Sequence, residues 1–371
     1  MTAGTNRTQA GKESDAGDGS KERGESQGSK GSQGAKGSQG SGGAAGTAGT
    51  AGAVATGRAA KIDRLAELTR RTGATVGNSL WKEAFRRLRS NRMAVIGAVV
   101  IALFVVVAVV GPWVTPYSPT AQTWRGEVLA NQGKFVGARG ENWFGLDHLG
   151  RDMFSRMLVG ARQTLLVGVV SMLIGLLLGA LIGTLSGAAV TLGGRAGRRI
   201  DTVVMRVIDI LLSLPSLLLA VSIAAVMGQS LTTVMIAVGV VQIPVFARLL
   251  RGSMLAQGGA DYVLAAKALG IRRKRIVLTQ ILPNSLSPVI VQATLSLATA
   301  IIEAAALSYL GLGNPDPAVP EWGVMLSQAQ RFFDNAPMMA VYPAVGIIIT
   351  ALGFTLLGEA MREALDPKLR G

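Results

Sequence analysis

The chain has 371 residues, of which 49% are hydrophobic and 16% charged, against about 25% charged residues in an ordinary soluble domain. Its mean hydropathy is +0.40 even with a long polar N-terminal stretch included, which excludes a wholly disordered protein and points to a polytopic membrane protein. The formal net charge is +15, but the basic residues cluster beside apolar runs, as on loops facing anionic lipid rather than nucleic acid. With no cysteine and a single histidine, His148, thiolate chemistry, disulfides and histidine-cluster metal sites are excluded within the chain. No G-x-x-x-x-G-K-[ST] loop occurs, so ATP hydrolysis by this chain itself is not expected.

Residues 1–60 are rich in Gly, Ser, Ala, Gln and Thr, with a repeat in Ser26-Gln27-Gly28, Ser32-Gln33-Gly34 and Ser38-Gln39-Gly40. Such a composition buries too little apolar surface to offset chain entropy and predicts a disordered tail. Across 61–92, Leu65, Leu68, Trp81, Phe85 and Leu88 interleave with Arg70, Arg71, Lys82, Arg86, Arg87, Arg89 and Arg92. The stretch 81–92 reads as a basic amphipathic helix on the membrane surface; a solvated basic linker is the alternative.

Residues 93–114 carry no charge over 22 positions, enough to cross about 30 Å of hydrocarbon. A second uncharged run covers 164–190. The run 210–247 would be about 57 Å long as one helix, too long for a single crossing. Gly228-Gln229-Ser230 is therefore read as a turn dividing spans at 206–227 and 231–247. The fifth and sixth spans are expected at 287–310 and 337–357. Lipid-exposed backbone must satisfy its own hydrogen bonds, so all six are expected to be helices and the fold an all-α polytopic membrane protein.

Orientation follows from Lys and Arg. Arg195, Arg198, Arg199 and Arg206, then Arg248, Arg251, Lys267, Arg272, Arg273, Lys274 and Arg275, and finally Arg362, Lys368 and Arg370 place these segments and both termini in the cytoplasm. The outer loop 115–163 also carries Arg125, Lys134, Arg139, Arg151, Arg156 and Arg162, but long loops translocate largely regardless of charge. The expected organisation is completed by a core over 164–358, containing a cytoplasmic loop at 248–284, and a tail at 359–371.

That loop is the most informative stretch. Gly258-Gly259 ends one helix, and Asp261 starts the next, where a carboxylate complements the positive end of the helix dipole. Tyr262, Ala265, Ala266 and Leu269 recur at helical spacing on one face. Gly270 suits a left-handed stop, and Pro283 ends a second short helix after Leu282. A small-residue face flanked by basic residues suits a groove on a soluble partner; an amphipathic helix lying on lipid is the other reading.

The segment resembles the E-A-A-x3-G-x9-I-x-L-P loop of ABC-transporter permeases at Ala265, Ala266, Gly270, Leu282 and Pro283, with Leu264 in place of the glutamate and Gln280 in place of isoleucine. Further stretches resemble the second permease subunit of dipeptide/oligopeptide importers, a branch that also includes nickel importers. These are Phe144-Gly145-Leu146-Asp147-His148-Leu149-Gly150-Arg151-Asp152, the stretch from Asp201 to Pro215, Leu307-Ser308-Tyr309-Leu310-Gly311-Leu312-Gly313, and Ala364-Leu365-Asp366-Pro367. The resemblance covers about residues 80–371. It implies a type I ABC importer permease fold in a bacterial plasma membrane. It further implies a second homologous permease subunit, two ATP-binding subunits that hold ATP and magnesium, and an extracytoplasmic substrate-binding protein. The loop around Ala265–Gly270 would be the coupling helix, and peptides the cargo, with nickel complexes as the alternative. An integral-membrane enzyme, for which no H-E-x-x-H or G-x-S-x-G site is found, and an ion-coupled secondary transporter are the readings from other classes.

Ionisable groups within spans are functional hypotheses by default, so Asp209 and Glu303 are candidates for the pathway, for an ion site or for bonding between helices. Pro215 and Pro244 are candidate kinks that free carbonyls toward a pathway, or plain packing positions. His148 with Asp147 and Asp152 is too sparse for a metal site; a contact to the binding protein or local packing is the default. Gly175, Gly179, Gly183 and Gly187 form a ladder expected to pack closely against another helix.

Overall fold

A computed structural model describes residues 80–130 and 136–365, all within the compact unit Thr75–Gly371. The expectations for the tail 1–60, for Leu65, Leu68, Arg70 and Arg71, and for Asp366, Lys368 and Arg370 lie outside the described residues.

In chain order the helices are α1 (Leu80–Ser90), α2 (Arg92–Val114), α3 (Arg125–Ala130), α4 (Met153–Leu192), α5 (Gly194–Ser213), α6 (Ser216–Met227) and α7 (Leu231–Gly258). There follow α8 (Asp261–Ala268), α9 (Arg273–Ile276), α10 (Leu282–Asn284), α11 (Ser287–Tyr309), α12 (Trp322–Ala329) and α13 (Met338–Leu365). A π-helical turn, Val277–Ile281, joins α9 to α10. Among the described residues the β pairing outside named strands is a single antiparallel bridge between Leu146 and Asp152. Five helices are long and apolar enough to cross a membrane, and the α5–α6 pair makes a sixth if counted as one span.

Three spans, α4, α7 and α13, exceed their apolar runs, and at the start of α4 a capping group rather than hydropathy sets the end. Helix α4 has 40 residues against the expected 164–190. It begins at Met153 because Asp152 accepts from the Ser155 backbone N–H at 2.8 Å, capping the helix well before the first uncharged turn. Helix α7 starts where Ser230 accepts from Thr233 N–H at 2.9 Å, and it runs past the expected end at 247 to Gly258. Helix α13 likewise continues to Leu365 rather than stopping at 357.

The third span departs furthest from expectation. It is not one helix over 206–227. The basic stretch from Arg195 to Arg206 is itself helical in α5, and α5 meets α6 at a 94° bend. Pro215 lacks an N–H and disfavours helical backbone at the residue before it, so Leu214 is extended (ψ 138°) and the helix restarts at Ser216. By itself α6, with 12 residues, is about 18 Å long and does not cross a bilayer.

Three apolar clusters hold the bundle together. Phe104, Ala108, Ile301, Trp322, Ile347 and Phe354 join α2, α11, α12 and α13. Val167, Ala220, Val234, Val238, Ala304 and Leu307 join α4, α6, α7 and α11. Phe246, Leu250, Met254, Val263, Ala266 and Ile276 join α7 to the loop after it. The glycine ladder of α4 lies along α7: a Cβ on Gly175 would stand 2.6 Å from Gln242 Cβ, on Gly179 2.7 Å from the Ile243 carbonyl, and on Gly183 2.6 Å from the Ala247 carbonyl. Absence of side chains there lets the two backbones touch. On α2, Ala94, Gly97, Phe104, Ala108 and Gly111 face inward, while Val95, Val99, Leu103, Val106 and Val110 form an exposed apolar stripe of the kind lipid covers.

Candidate functional site

The loop after α7 is built from its glycines upward. Helix α7 ends at Gly258, and α8 begins at Asp261, which stands in the first turn as the dipole argument requires. Gly270 has φ +74°, and Ile271 N–H reaches back to the Ala266 carbonyl at 3.1 Å. This six-to-one bond with a left-handed glycine closes the helix end. Tyr262 donates its hydroxyl to Gln257 Oε1 at 2.7 Å, tying α8 to the last turn of α7.

The four residues expected to share one docking face are divided. Tyr262, Ala265 and Leu269 are exposed, but Ala266 is buried with Val263 against Met254 and Ile276. The outer face of α8 therefore consists of Asp261, Tyr262, Leu264, Ala265, Ala268 and Leu269, with Leu269 80% exposed. Two alanines in succession point about 100° apart on a helix, so only one of them can serve the surface. Leu282 is half-buried and Pro283 exposed. The second short helix runs one residue past Pro283, to Asn284. The widened turn Val277–Ile281, in which Leu282 N–H bonds the Val277 carbonyl, makes room for a proline ring that would otherwise press on the preceding turn.

The intramembrane candidates fall into separate places. Asp209 on α5 pairs with Arg248 on α7, both about half exposed. About two turns earlier on α5, Asp201 receives two bonds from Arg251, at 2.9 and 2.6 Å, and a third from Ser186 Oγ at 2.5 Å. These clasps fasten α5 to α7 and α4. Pro215 stands at the α5–α6 break rather than inside a span, and Ser216 immediately after it lies beside the Glu303 carboxyl of α11. The break and the carboxyl are thus brought together. Pro244 is buried inside α7 without interrupting it and joins none of the others.

Residues 179–371 match the family described as the inner membrane component of binding-protein-dependent transport systems, and residues 79–133 match the N-terminal transmembrane domain of oligopeptide transport permease C. The chain belongs to the family of binding-protein-dependent transport permeases. The permease is 41% identical over 298 residues to the dipeptide transport system permease protein DppC of Alkalihalophilus pseudofirmus, covering 79% of this chain and 91% of that protein. It is 42% identical over 291 residues to the glutathione transport system permease protein GsiD of Shigella flexneri serotype 5b, covering 78% and 91%. Among solved structures it is similar to the methionine ABC transporter MetNI in an inward-facing conformation, at 24% identity and a TM-score of 0.47, over 58% of this chain and 98% of that one. Family membership makes it a multi-pass inner-membrane permease.

At the end of the permease opposite α8, the segment 144–156 forms a buried polar knot whose individual roles were not apparent from sequence. Asp147 Oδ1 accepts from the backbone of Leu149 and Arg151 at 2.9 Å each, while Oδ2 takes Arg151 Nε at 2.5 Å and lies 3.5 Å from Arg156 Nε. Arg151 also donates to the Pro317 carbonyl at 2.8 Å and to Gln328, and Arg156 to the carbonyls of Pro119, Pro317 and Ala318. Two of the basic residues that sat awkwardly in the outer loop are thus matched internally, and Arg139 is matched by Glu127 at 2.6 Å. His148 packs locally, stacked on Phe332 with centroids 5.0 Å apart, and burial holds its pKa below the ordinary value. Among the described residues no group of three or more His, Cys, Asp or Glu is placed to hold a metal.

Proposed function

We propose that this permease forms, with a second homologous permease subunit, the translocation pathway of an ATP-driven importer of dipeptides and oligopeptides. Two partner subunits bind ATP and magnesium and hydrolyse the nucleotide, and an extracytoplasmic binding protein delivers the cargo. The chain itself takes no cofactor. Relatives named for dipeptide and glutathione transport support a peptide cargo.

The observation that carries the reading is the outer face of α8. Leu264 and Leu269 are held outward by a helix whose other side is anchored in the core through Val263 and Ala266. A rigidly backed apolar knob among Lys267, Arg272, Arg273, Lys274 and Arg275 suits a groove in a soluble subunit and transmits displacement to α7. This end and both termini then face the cytoplasm. Asp209 with Arg248, Ser213, Pro215, Ser216 and Ser222 lie on a face left open by the chain, beside Glu303. Polar groups at that depth are costly against lipid and suit a water-filled pathway shared with the second permease.

The test is uptake of labelled dipeptide by cells carrying the assembled transporter, together with co-purification of its ATP-binding subunit. Leu269→Arg is expected to leave the permease folded and inserted while abolishing both. Retention of the ATP-binding subunit and of uptake in that variant overturns the coupling role, and uptake unaffected by deletion of the permease overturns the peptide assignment.

A further inference from the structure

Between the end of α11 and the start of α12 lies an acid that the transport reading does not use. Glu321 is 3% exposed and Ser308 2%. Ser308 Oγ bonds Glu321 Oε1 at 2.5 Å, and Oε2 is buried without a hydrogen-bond partner among the described residues. Two glycines press on the same serine: a Cβ on Gly313 would stand 2.5 Å from Ser308 Oγ, and one on Gly323 2.8 Å from Ser308 Cβ and from the Ala305 carbonyl. Among the described residues no counter-charge is supplied locally. Helix α12 has no ionisable side chain, and Arg151 and Arg156 spend their donors on Asp147 and on the Pro317 and Ala318 carbonyls. Glu303 and Tyr309 on α11, Asp316 in the connecting loop, Arg331 and Asp334 after α12, Arg162 on α4, and Tyr342, Glu359, Arg362 and Glu363 on α13 are the other ionisable groups of these elements.

We propose that Glu321 and Ser308 form a proton-operated latch, which holds α12 against α11 while Glu321 carries its proton and loosens when it ionises. A neutral carboxyl fits a dry site with one hydroxyl partner, whereas a carboxylate there leaves a buried oxygen uncompensated. Burial pushes this carboxyl from an ordinary 4.5 up to about 7, the Ser308 bond opposing in part. The latched state therefore binds the proton more tightly than the open one. Latching strengthens as pH falls from about 7 toward 4.5 and is complete below that. His148, held low by burial, acts in the opposite direction, since acidification charges it and weakens its packing.

The latch is a property of this chain and does not depend on the cargo. Its test is hydrogen–deuterium exchange of the Trp322–Ala329 amides in the full-length permease within its assembled transporter in lipid nanodiscs, corrected for intrinsic exchange at pH 5 and pH 8. Wild type is expected to lose protection on going to pH 8, by up to about 70-fold for one linked proton. Glu321→Gln, permanently neutral, is expected to stay protected at both pH values. Glu321→Asp, should the amide pack badly, is expected to retain a pH dependence. A flat wild-type profile, or an unchanged pH dependence in Glu321→Gln, overturns the proposal.

Discussion

Arg151 lies with its guanidinium 2.5 Å from Asp147 while reaching Pro317 and Gln328, 166 and 177 residues further along the chain. One side chain therefore fixes the loop between the first two spans to the loop between the last two. Because Asp147, Arg151 and Arg156 are almost fully buried, removing the acid strands two cations. Asp147→Ala is expected to lower stability by about 3–5 kcal/mol, read as thermal unfolding of the permease in nanodiscs. Arg151→Lys keeps the charge but offers no planar fork to satisfy three acceptors at once, and is expected to cost about 1–3 kcal/mol.

The glycine ladder gives a second prediction, with an internal control. An added Cβ at Gly183 meets the Ala247 carbonyl at 2.6 Å, and α7 cannot yield without separating from α4 along several turns. Gly183→Ala is expected to destabilise by about 1–3 kcal/mol through overpacking. Gly252, also helical, has nothing within 4 Å of its Cβ position. Gly252→Ala is expected to stabilise by about 0.5–1 kcal/mol from backbone entropy alone. The same unfolding measurement reads both, and equal effects of like sign would remove the close-packing account.

What was legible in the sequence is what depends on short range. The ladder at four-residue spacing, Asp261 at a helix start and Gly270 at a helix stop are each settled by a few neighbouring residues, and each stands where expected. The start of α4 was missed because the Asp152 cap outlasts hydropathy, whereas α7 starts at Leu231 as expected and runs past its apolar stretch to Gly258. The bend at Pro215 was foreseeable as a kink, but its 94° size depends on where α5 is held by the Arg251 and Arg248 clasps. The knot around Asp147 joins carbonyls some 160 residues away, which no local pattern encodes. Ala266 was placed on the wrong side because small residues carry no sign of whether they admit a partner or the chain's own core.

That burial separates two substitutions that look alike in sequence. Ala266→Arg forces a cation among Val263, Met254 and Ile276, and is expected to fail at the level of folding, with lost expression and early unfolding. Leu269→Arg places the same group in open space and is expected to melt within about 0.5 kcal/mol of wild type. Loss of the ATP-binding subunit with an unchanged melt in Leu269→Arg isolates docking from stability; a large melt shift there would mean α8 is held by its outer face after all.

The two α5–α7 clasps provide the last comparison. Asp201 is buried and takes three donors, from Arg251 and Ser186, so Asp201→Asn is expected to cost about 1–3 kcal/mol in the unfolding measurement. Asp209 and Arg248 are about half exposed, and an exposed pair contributes only about 0–1 kcal/mol. Asp209→Asn is therefore expected to leave the melt nearly unchanged. If its open face belongs to the pathway, peptide uptake falls all the same, because the substitution leaves the Arg248 charge unbalanced in the route of the cargo. A variant that melts and transports like wild type would move the pathway away from this face of α5, leaving Glu303 and the α6 break as the groups to follow.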